Sequence, residues 1–425
     1  MGSIRASQLR ACRPLLLRGR LAVWPPAHRE GRVPERGHVA RPHSTPAASA
    51  SLPQQARVVV VGGGIIGSSI AYHLAHAGWK DVVLLERDKL TSGTTWHAAG
   101  LMVTFGSTSA TSTSLRKYSR DLYSKLESET GLSTGFEPIG FIELATTPGY
   151  LEEFRRVSDY NRLQGVDVQE IGPADVQALF PLCKVDDVLR GFYVAGDGRV
   201  NPVDATMSLV KGARQQGAKV FEGVAVSDVL QAHGRVAGVR TECGHEIKAE
   251  YVVNCAGMWA RQLAAKSGVS VPLQAAEHYY LITDAIPEVD KKWPVVEDPS
   301  SYAYIRREGA GLMVGLFEPW GATWRAEGIP QSFSFGEIPA DLDRVSLYFE
   351  RAMQRVPRTL EAGVSKLFCG PESFTADLRP IVGPAPELEN YWVAAGMNSI
   401  GILTGDIYIY TYIHIVIYNI YIYIL

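Results

Sequence analysis

Val58-Val59-Val60-Val61-Gly62-Gly63-Gly64-Ile65-Ile66-Gly67 decides how this chain is read. Four β-branched residues predict a short buried strand. Gly62-x-Gly64-x-x-Gly67 follows at once, and Ser68 to Leu74 has helical character. Each glycine answers a separate steric demand. Gly62 permits the tight turn, Gly64 lets backbone approach a pyrophosphate, and Gly67 lets helix pack closely on strand. The helix start, with Ile65 and Ile66, then offers unpaired N–H groups and the positive end of a dipole. A glycine motif alone is weak evidence, but this one lies between a predicted strand and a predicted helix. Further out, the apolar run Val82-Val83-Leu84-Leu85 ends in Glu86, 19 residues after Gly67. An acidic residue at that distance accepts hydrogen bonds from a ribose hydroxyl pair.

A chain of 425 residues can bury one large core, or two sub-domains sharing one ligand. It is 46% hydrophobic and 20% charged, with a formal net charge of -2, which gives no footing for a nucleic-acid partner. Five cysteines are scattered without a CxxC or Cys/His cluster, so neither a metal site nor a disulfide framework is expected, and a reducing interior compartment fits best. The first 55 residues hold nine arginines, no lysine and two acids, with Ser, Ala and Pro throughout. That is the composition of a mitochondrial transit peptide and places the protein in the mitochondrial matrix, with folding expected from Ala56. Residues 406–425 carry an Ile/Tyr tract long enough for a membrane span and rich in strand formers. Neither reading explains the repeated Ile/Tyr, which reads as a truncated or mispredicted terminus. No membrane partner is expected.

Between these ends the pattern alternates. Thr91 to Gly100 is a small-residue loop suited to close ligand approach. Helices are expected over about 115–130, 150–164 and 202–217. Strands are expected over 140–145, from Lys219, and as a hairpin set over 226–230, 236–241 and 245–250. Tyr251-Val252-Val253-Asn254-Cys255-Ala256-Gly257 then repeats the logic of the opening, a strand into a small-residue turn. Residues 268–370 are rich in β pattern, and Val393 to Gly396 is a late strand entering a glycine turn. An N-terminal GxGxxG with so distant a return points to FAD more than NAD.

At Leu90-Thr91-Ser92-Gly93-Thr94-Thr95-Trp96-His97-Ala98-Ala99-Gly100 a family resemblance becomes specific. The chain resembles the mitochondrial sarcosine and dimethylglycine dehydrogenases, of the D-amino acid oxidase-like flavoprotein class. The likeness runs over about 56–403 and includes Asn254 to Gly257, Glu277 to Tyr280, Cys369 to Thr375 and Gly396 to Ser399. It implies an α/β fold: a Rossmann-like FAD-binding domain built from 56–135, 195–262 and 371–405, with an inserted β-rich substrate domain of 136–194 and 263–370. It implies that the histidine at the His97 position is bonded covalently to the flavin 8α-methyl carbon, with Trp96 packed beside the ring. Cofactor contacts are expected at Gly62, Gly64, Ile65, Ile66, Gly67, Glu86, Arg87, Gly93, Thr94, Thr95, Trp96, His97, Ala98, Gly100, Leu101, Val226, Gly257, Gly396, Asn398 and Gly401.

The activity implied is oxidative N-demethylation of a methylated glycine, with electrons passing to an electron-transferring flavoprotein. His278, Tyr280 and Tyr304 are the candidates for shaping the pocket and handling the proton, and Arg306 for pairing with a substrate carboxylate. The family continues with a folate-binding aminomethyltransferase-like domain. Here Gly405-Asp406 runs into the Ile/Tyr tract, so tetrahydrofolate is not expected to serve this chain. Sarcosine and dimethylglycine both stay open as substrates. Three other readings also stay open: the non-catalytic regulatory subunit of pyruvate dehydrogenase phosphatase, a generic amino-acid oxidase, and an inactive fragment from a faulty gene model.

Overall fold

Two eight-stranded sheets carry the structure, a computed structural model that describes residues 51–405. Most of the basic leader and the Ile/Tyr tract lie outside the described residues, and so do the expectations attached to them. The first sheet is centred on Gln55–Val61. That strand pairs in parallel with Val82–Leu85 on one side and Glu246–Asn254 on the other, with Val60 between Leu84 and Val253. Lys219–Phe221 and Tyr391–Ala395 extend the parallel array, and Ile381–Pro384 closes one edge antiparallel. The Val run is β-branched because both faces of this strand are buried. Val58 and Val60 pack toward the helices Ile65–His76 and Pro202–Gln215; Val59 and Val61 pack toward Val229, Val239 and Ala260.

The second sheet runs in the order Val364–Thr375, Leu273–Thr283, Gly311–Leu316, Ala303–Glu308, Val295–Asp298, Phe141–Ala145, Arg190–Val194, Gln169–Ile171. One of its faces is covered by the helix Leu342–Arg355. Val345, Phe349, Ala352 and Met353 of that helix share a core with Tyr279, Leu281, Ile305 and Val314. Because side chains alternate along a strand, His278 and Tyr280 stand on the opposite face.

The structure departs from the expectations in four places. The helix expected from about Leu115 begins at Ala110, because Ser109 caps it by accepting the Ser112 amide. The hairpin strand at 245–250 and the parallel strand at 251–254 are one strand, Glu246–Asn254, whose first half also pairs antiparallel with Arg235–Thr241. The region 268–370 contains the helix Leu342–Arg355, legible in hindsight from the Val345/Phe349/Ala352 spacing. Finally, Val364–Thr375 runs unbroken across 370/371, so the chain leaves the second sheet after Thr375 and not at the expected boundary.

Gly67 sits where helix and strand cross most closely: a Cβ built there would stand 1.9 Å from the Gly62 carbonyl oxygen. Gly67→Ala is therefore expected to destabilise the protein by about 1–3 kcal/mol, since backbone cannot yield as a flexible side chain does. Urea denaturation measures it, and an unchanged midpoint would refute the close-packing account.

Candidate functional site

The parallel strands of the first sheet all end on one edge, and a cleft runs along that edge. Gly62, at the end of the first strand, has φ +112°, and a Cβ there would lie 2.5 Å from the Cys255 carbonyl oxygen. Gly64 caps the following helix, and Ile65 donates its N–H to Thr95 Oγ1 at 3.0 Å. Glu86 ends the second strand. Its carboxylate accepts the Gly63 amide at 2.7 Å and the Asp88 amide at 2.9 Å. Burial raises the Glu86 pKa, and these two bonds pull it back. The carboxylate thus braces the glycine turn as well as facing the cleft, with lone pairs left over for a diol.

The loop after Glu86 carries His97 on a single 3₁₀ turn, Thr95–His97. His97 is buried, and its Nε2 has no hydrogen-bond partner among the described residues. Burial pushes its pKa down to about 4, with only partial compensation from Glu372. The ring is therefore a neutral imidazole with an uncommitted nitrogen. The neighbouring Trp96 likewise has a buried Nε1 without a partner.

The open face of the second sheet meets this loop. Tyr280 and Tyr304 both pair with Gly315, on either side of it, so the two phenols lie side by side across three strands. The Tyr304 ring covers Gly315, where a Cβ would meet its Cζ at 1.8 Å. Burial drives the Tyr280 pKa up to about 12 and raises Tyr304 as well. His278 lies two residues before Tyr280 on the same face. Its Nδ1 stands 3.5 Å from Glu372 Oε2 and 3.3 Å from Ser399 Oγ, and Ser399 also donates to Glu372. Burial works against protonation of His278, yet the Glu372 carboxylate overrides it and lifts the pKa to about 9. For Glu372 burial again opposes ionisation, and His278 holds it down to about 2. They are an ion pair at neutral pH.

Fourteen of the residues expected to touch a cofactor line the cleft: Gly62, Gly64, Ile65, Ile66, Glu86, Arg87, Gly93, Thr94, Thr95, Ala98, Val226, Gly257, Asn398 and Gly401. The other six are not among its lining residues, although Thr95 and Ala98 on either side of Trp96 and His97 are. Gly67 and Gly100 make close backbone approaches, to Gly62 and to Val200. Leu101 pairs with Arg199 in a two-stranded sheet, and Gly396 packs against Thr375. Trp96 and His97 sit in an aromatic cluster with Phe368.

Two expectations on the second sheet change. Arg306 does not present a free fork: its Nε donates to the Ala99 carbonyl at 2.9 Å, and its Nη1 to Glu308 and the Arg307 carbonyl. His278, Tyr280 and Tyr304 are all held protonated at neutral pH, so none of them is a ready base. Sequence reasoning missed Phe368, Glu372, Ser399 and Trp259, whose ring lies 3.9 Å under the Arg87 guanidinium. A period-two reading of Phe368, Gly370 and Glu372 was the available signal. Among the described residues no group of three or more His, Cys, Asp or Glu could hold a metal ion, and no helix is long and apolar enough to cross a membrane.

Residues 57–408 match the family of FAD dependent oxidoreductases, and the chain belongs to that family. It is 38% identical to mouse mitochondrial sarcosine dehydrogenase over 84% of this chain and 39% of that protein. Likewise it is 38% identical to rat mitochondrial dimethylglycine dehydrogenase, over 81% of this chain and 41% of that one. Mouse pyruvate dehydrogenase phosphatase regulatory subunit is 36% identical over 84% of this chain and 41% of its own length. The chain thus spans about two fifths of the length of the curated relatives it matches. In fold it is similar to the L-proline dehydrogenase of P. horikoshii, with a TM-score of 0.77 at 24% identity over 87% of this chain and 95% of that one.

An FAD fits the residues present: a glycine turn with no room for a Cβ, a carboxylate at the end of the second strand, and an orphaned imidazole nitrogen beside the cleft.

The His278–Glu372 pair carries its own pH signature. Its stabilisation is complete below the ordinary histidine value of 6.5 and is lost as pH rises through about 9. On the acid side it holds above the ordinary carboxyl value of 4.5 and is lost as pH falls through about 2. The gap in denaturation midpoint between the wild type and Glu372→Gln should therefore shrink between pH 6.5 and pH 9.5. A gap constant over that range would rule the pair out.

Proposed function

We propose that this chain carries the flavin of an amine dehydrogenase that oxidatively demethylates a methylated glycine, sarcosine or dimethylglycine, and works in the mitochondrial matrix with an electron-transferring flavoprotein as acceptor. The observation that carries the reading is His97, a buried, neutral imidazole with one nitrogen unpartnered, on the loop beside the glycine cleft. Gly62 to Ile66, Glu86, Asn398 and Gly401 would hold an FAD, with His97 as its point of attachment, and the group would supply a two-electron acceptor for hydride from the N-methyl carbon.

The chain's own residues prepare the substrate. The His278 imidazolium attracts the substrate carboxylate. Tyr280 and Tyr304 keep their O–H protons and can offer hydrogen bonds to the substrate carboxylate. Hydride leaves readily only from a neutral amine, and His278, Tyr280 and Tyr304 already carry their protons at neutral pH. Two features disfavour the ammonium form instead: the positive charge of His278 and the desolvating wall of Tyr280, Tyr304 and Phe317. Deprotonation then happens on entry, with the proton left to solvent.

A second reading, a non-catalytic regulatory subunit, draws on the 36% identity to the mouse phosphatase regulatory subunit. The Trp96-His97 pair and the intact glycine cleft favour the enzyme.

The test is anaerobic mixing of the purified, yellow protein with sarcosine, dimethylglycine and glycine in turn. Bleaching of the flavin by a methylated glycine and not by glycine is expected, with steady-state turnover on a dye acceptor. Failure of all three to bleach a fully loaded flavin would discard the dehydrogenase and leave the regulatory reading. His278→Asn should raise KM for the methylated glycine and move the amine's apparent pKa in the kcat/KM profile up by roughly one unit, because the repelling charge is gone. An unshifted profile would remove His278 from that role.

A further inference from the structure

Two aromatic side chains crowd the His97 imidazole. The Phe368 ring lies 5.0 Å from it, centroid to centroid, with the planes tilted 38°. Trp96 meets it edge-on at 5.5 Å and meets Phe368 edge-on at the same distance. Phe368 is fully buried and is braced from the substrate side by Tyr280, stacked at 4.8 Å and 17°. Two residues further along the same strand face comes Gly370. A Cβ at that position would stand 2.8 Å from His97 Cε1 and 2.6 Å from Phe368 Cε1. The gap in the side-chain row at 370 is what allows the imidazole and the phenyl ring to meet.

A buried histidine usually commits both nitrogens to partners, which fixes its ring plane. Here Nε2 has none, and the ring's hydrogen bonding is confined to the backbone of His97 itself, so the neighbouring rings must help to set its plane. We propose that Phe368 and Gly370 are positioning residues for attachment of the flavin at His97: Phe368 sets the imidazole plane and excludes water from Nε2, and Gly370 leaves the space in which the ring turns to its partner. The proposal rests on the reading of His97 as the attachment point. In that reaction one N–C bond forms between the imidazole nitrogen and the flavin 8α carbon. The imidazole N–H and one methyl C–H break, and both hydrogens with the electron pair stay on the flavin, which ends two-electron reduced. Dissolved dioxygen then takes the electron pair with both hydrogens, leaving as hydrogen peroxide, and returns the ring to its oxidised form. Bond formation needs the nitrogen lone pair aimed at the methyl carbon, and small angular errors in such steps are costly.

The readout is attachment and not turnover. The full chain is expressed with riboflavin supplied, total bound FAD is measured by absorbance, and the acid-stable share is measured in the precipitated polypeptide. The wild type should hold its flavin through acid, and His97→Ala should release all of it while still binding FAD. Phe368→Ala and Gly370→Ala should bind FAD but attach it roughly 10- to 100-fold more slowly. Phe368→Tyr, which keeps the ring, should attach it at close to the wild-type rate. Phe368→Leu keeps an apolar side chain and guards against misfolding: it should bind FAD and still attach it slowly. If the Leu and Gly370→Ala variants attach flavin at the wild-type rate while His97→Ala attaches none, the positioning proposal falls and the attachment point stands. If acid strips the wild type completely, the attachment reading itself falls.

Discussion

A near-contact between backbones governs the molecule: Gly62 approaches the Cys255 carbonyl so closely that a side chain there would stand 2.5 Å from its oxygen. This brings the ends of two neighbouring parallel strands together at the start of the first helix. Gly67 repeats the demand one turn later, against Gly62 itself. Because no side chains separate these segments, strand ends, helix N-terminus and turn share one edge, and the cleft follows from that edge. Glu86 then ties the turn from the neighbouring strand through the Gly63 amide.

The second sheet is held onto that edge by a few specific bonds. Arg306 reaches the Ala99 carbonyl, Thr94 Oγ1 donates to the Pro371 carbonyl at 3.0 Å, and Arg87 reaches Gln331 and the Phe333 carbonyl. These contacts bury the loop that carries His97 between the two sheets, which neither sheet does alone. Its packing explains why two histidines in one neighbourhood go opposite ways. His97 sits among rings, and desolvation leaves it neutral; His278 faces Glu372 directly and is charged. Glu372 acts on both rings, but it is hydrogen-bonded to His278 and only partly offsets the desolvation of His97. The arrangement sets a neutral imidazole with an unpartnered nitrogen near a second imidazole held as a cation.

Regular local signals were legible. The Val58–Val61 run with its three glycines specified strand, turn and helix. Every side chain there answers to a neighbour within a few residues or to burial on both faces. Pro202 marked a helix start that the structure places at that residue, capped by Asn201, whereas the helix expected from Tyr150 begins two residues earlier, at Pro148, capped by Thr147. The helix Leu342–Arg355 was hidden because its neighbours are all β in pattern, and an amphipathic stripe in such surroundings is easily passed over.

What the sequence determined by itself is local and steric: which segments are strands or helices, where glycine alone can sit, and that a carboxylate ends the second strand. What only the tertiary structure decided is pairwise and long-range. That Arg306 is spent on the Ala99 carbonyl, that Glu372 charges His278, and that Phe368 meets His97 across a missing side chain at Gly370 all involve residues far apart in the chain. Charge state and ring orientation follow from desolvation, Coulomb contact and packing between residues that are close in space, which sequence spacing does not encode.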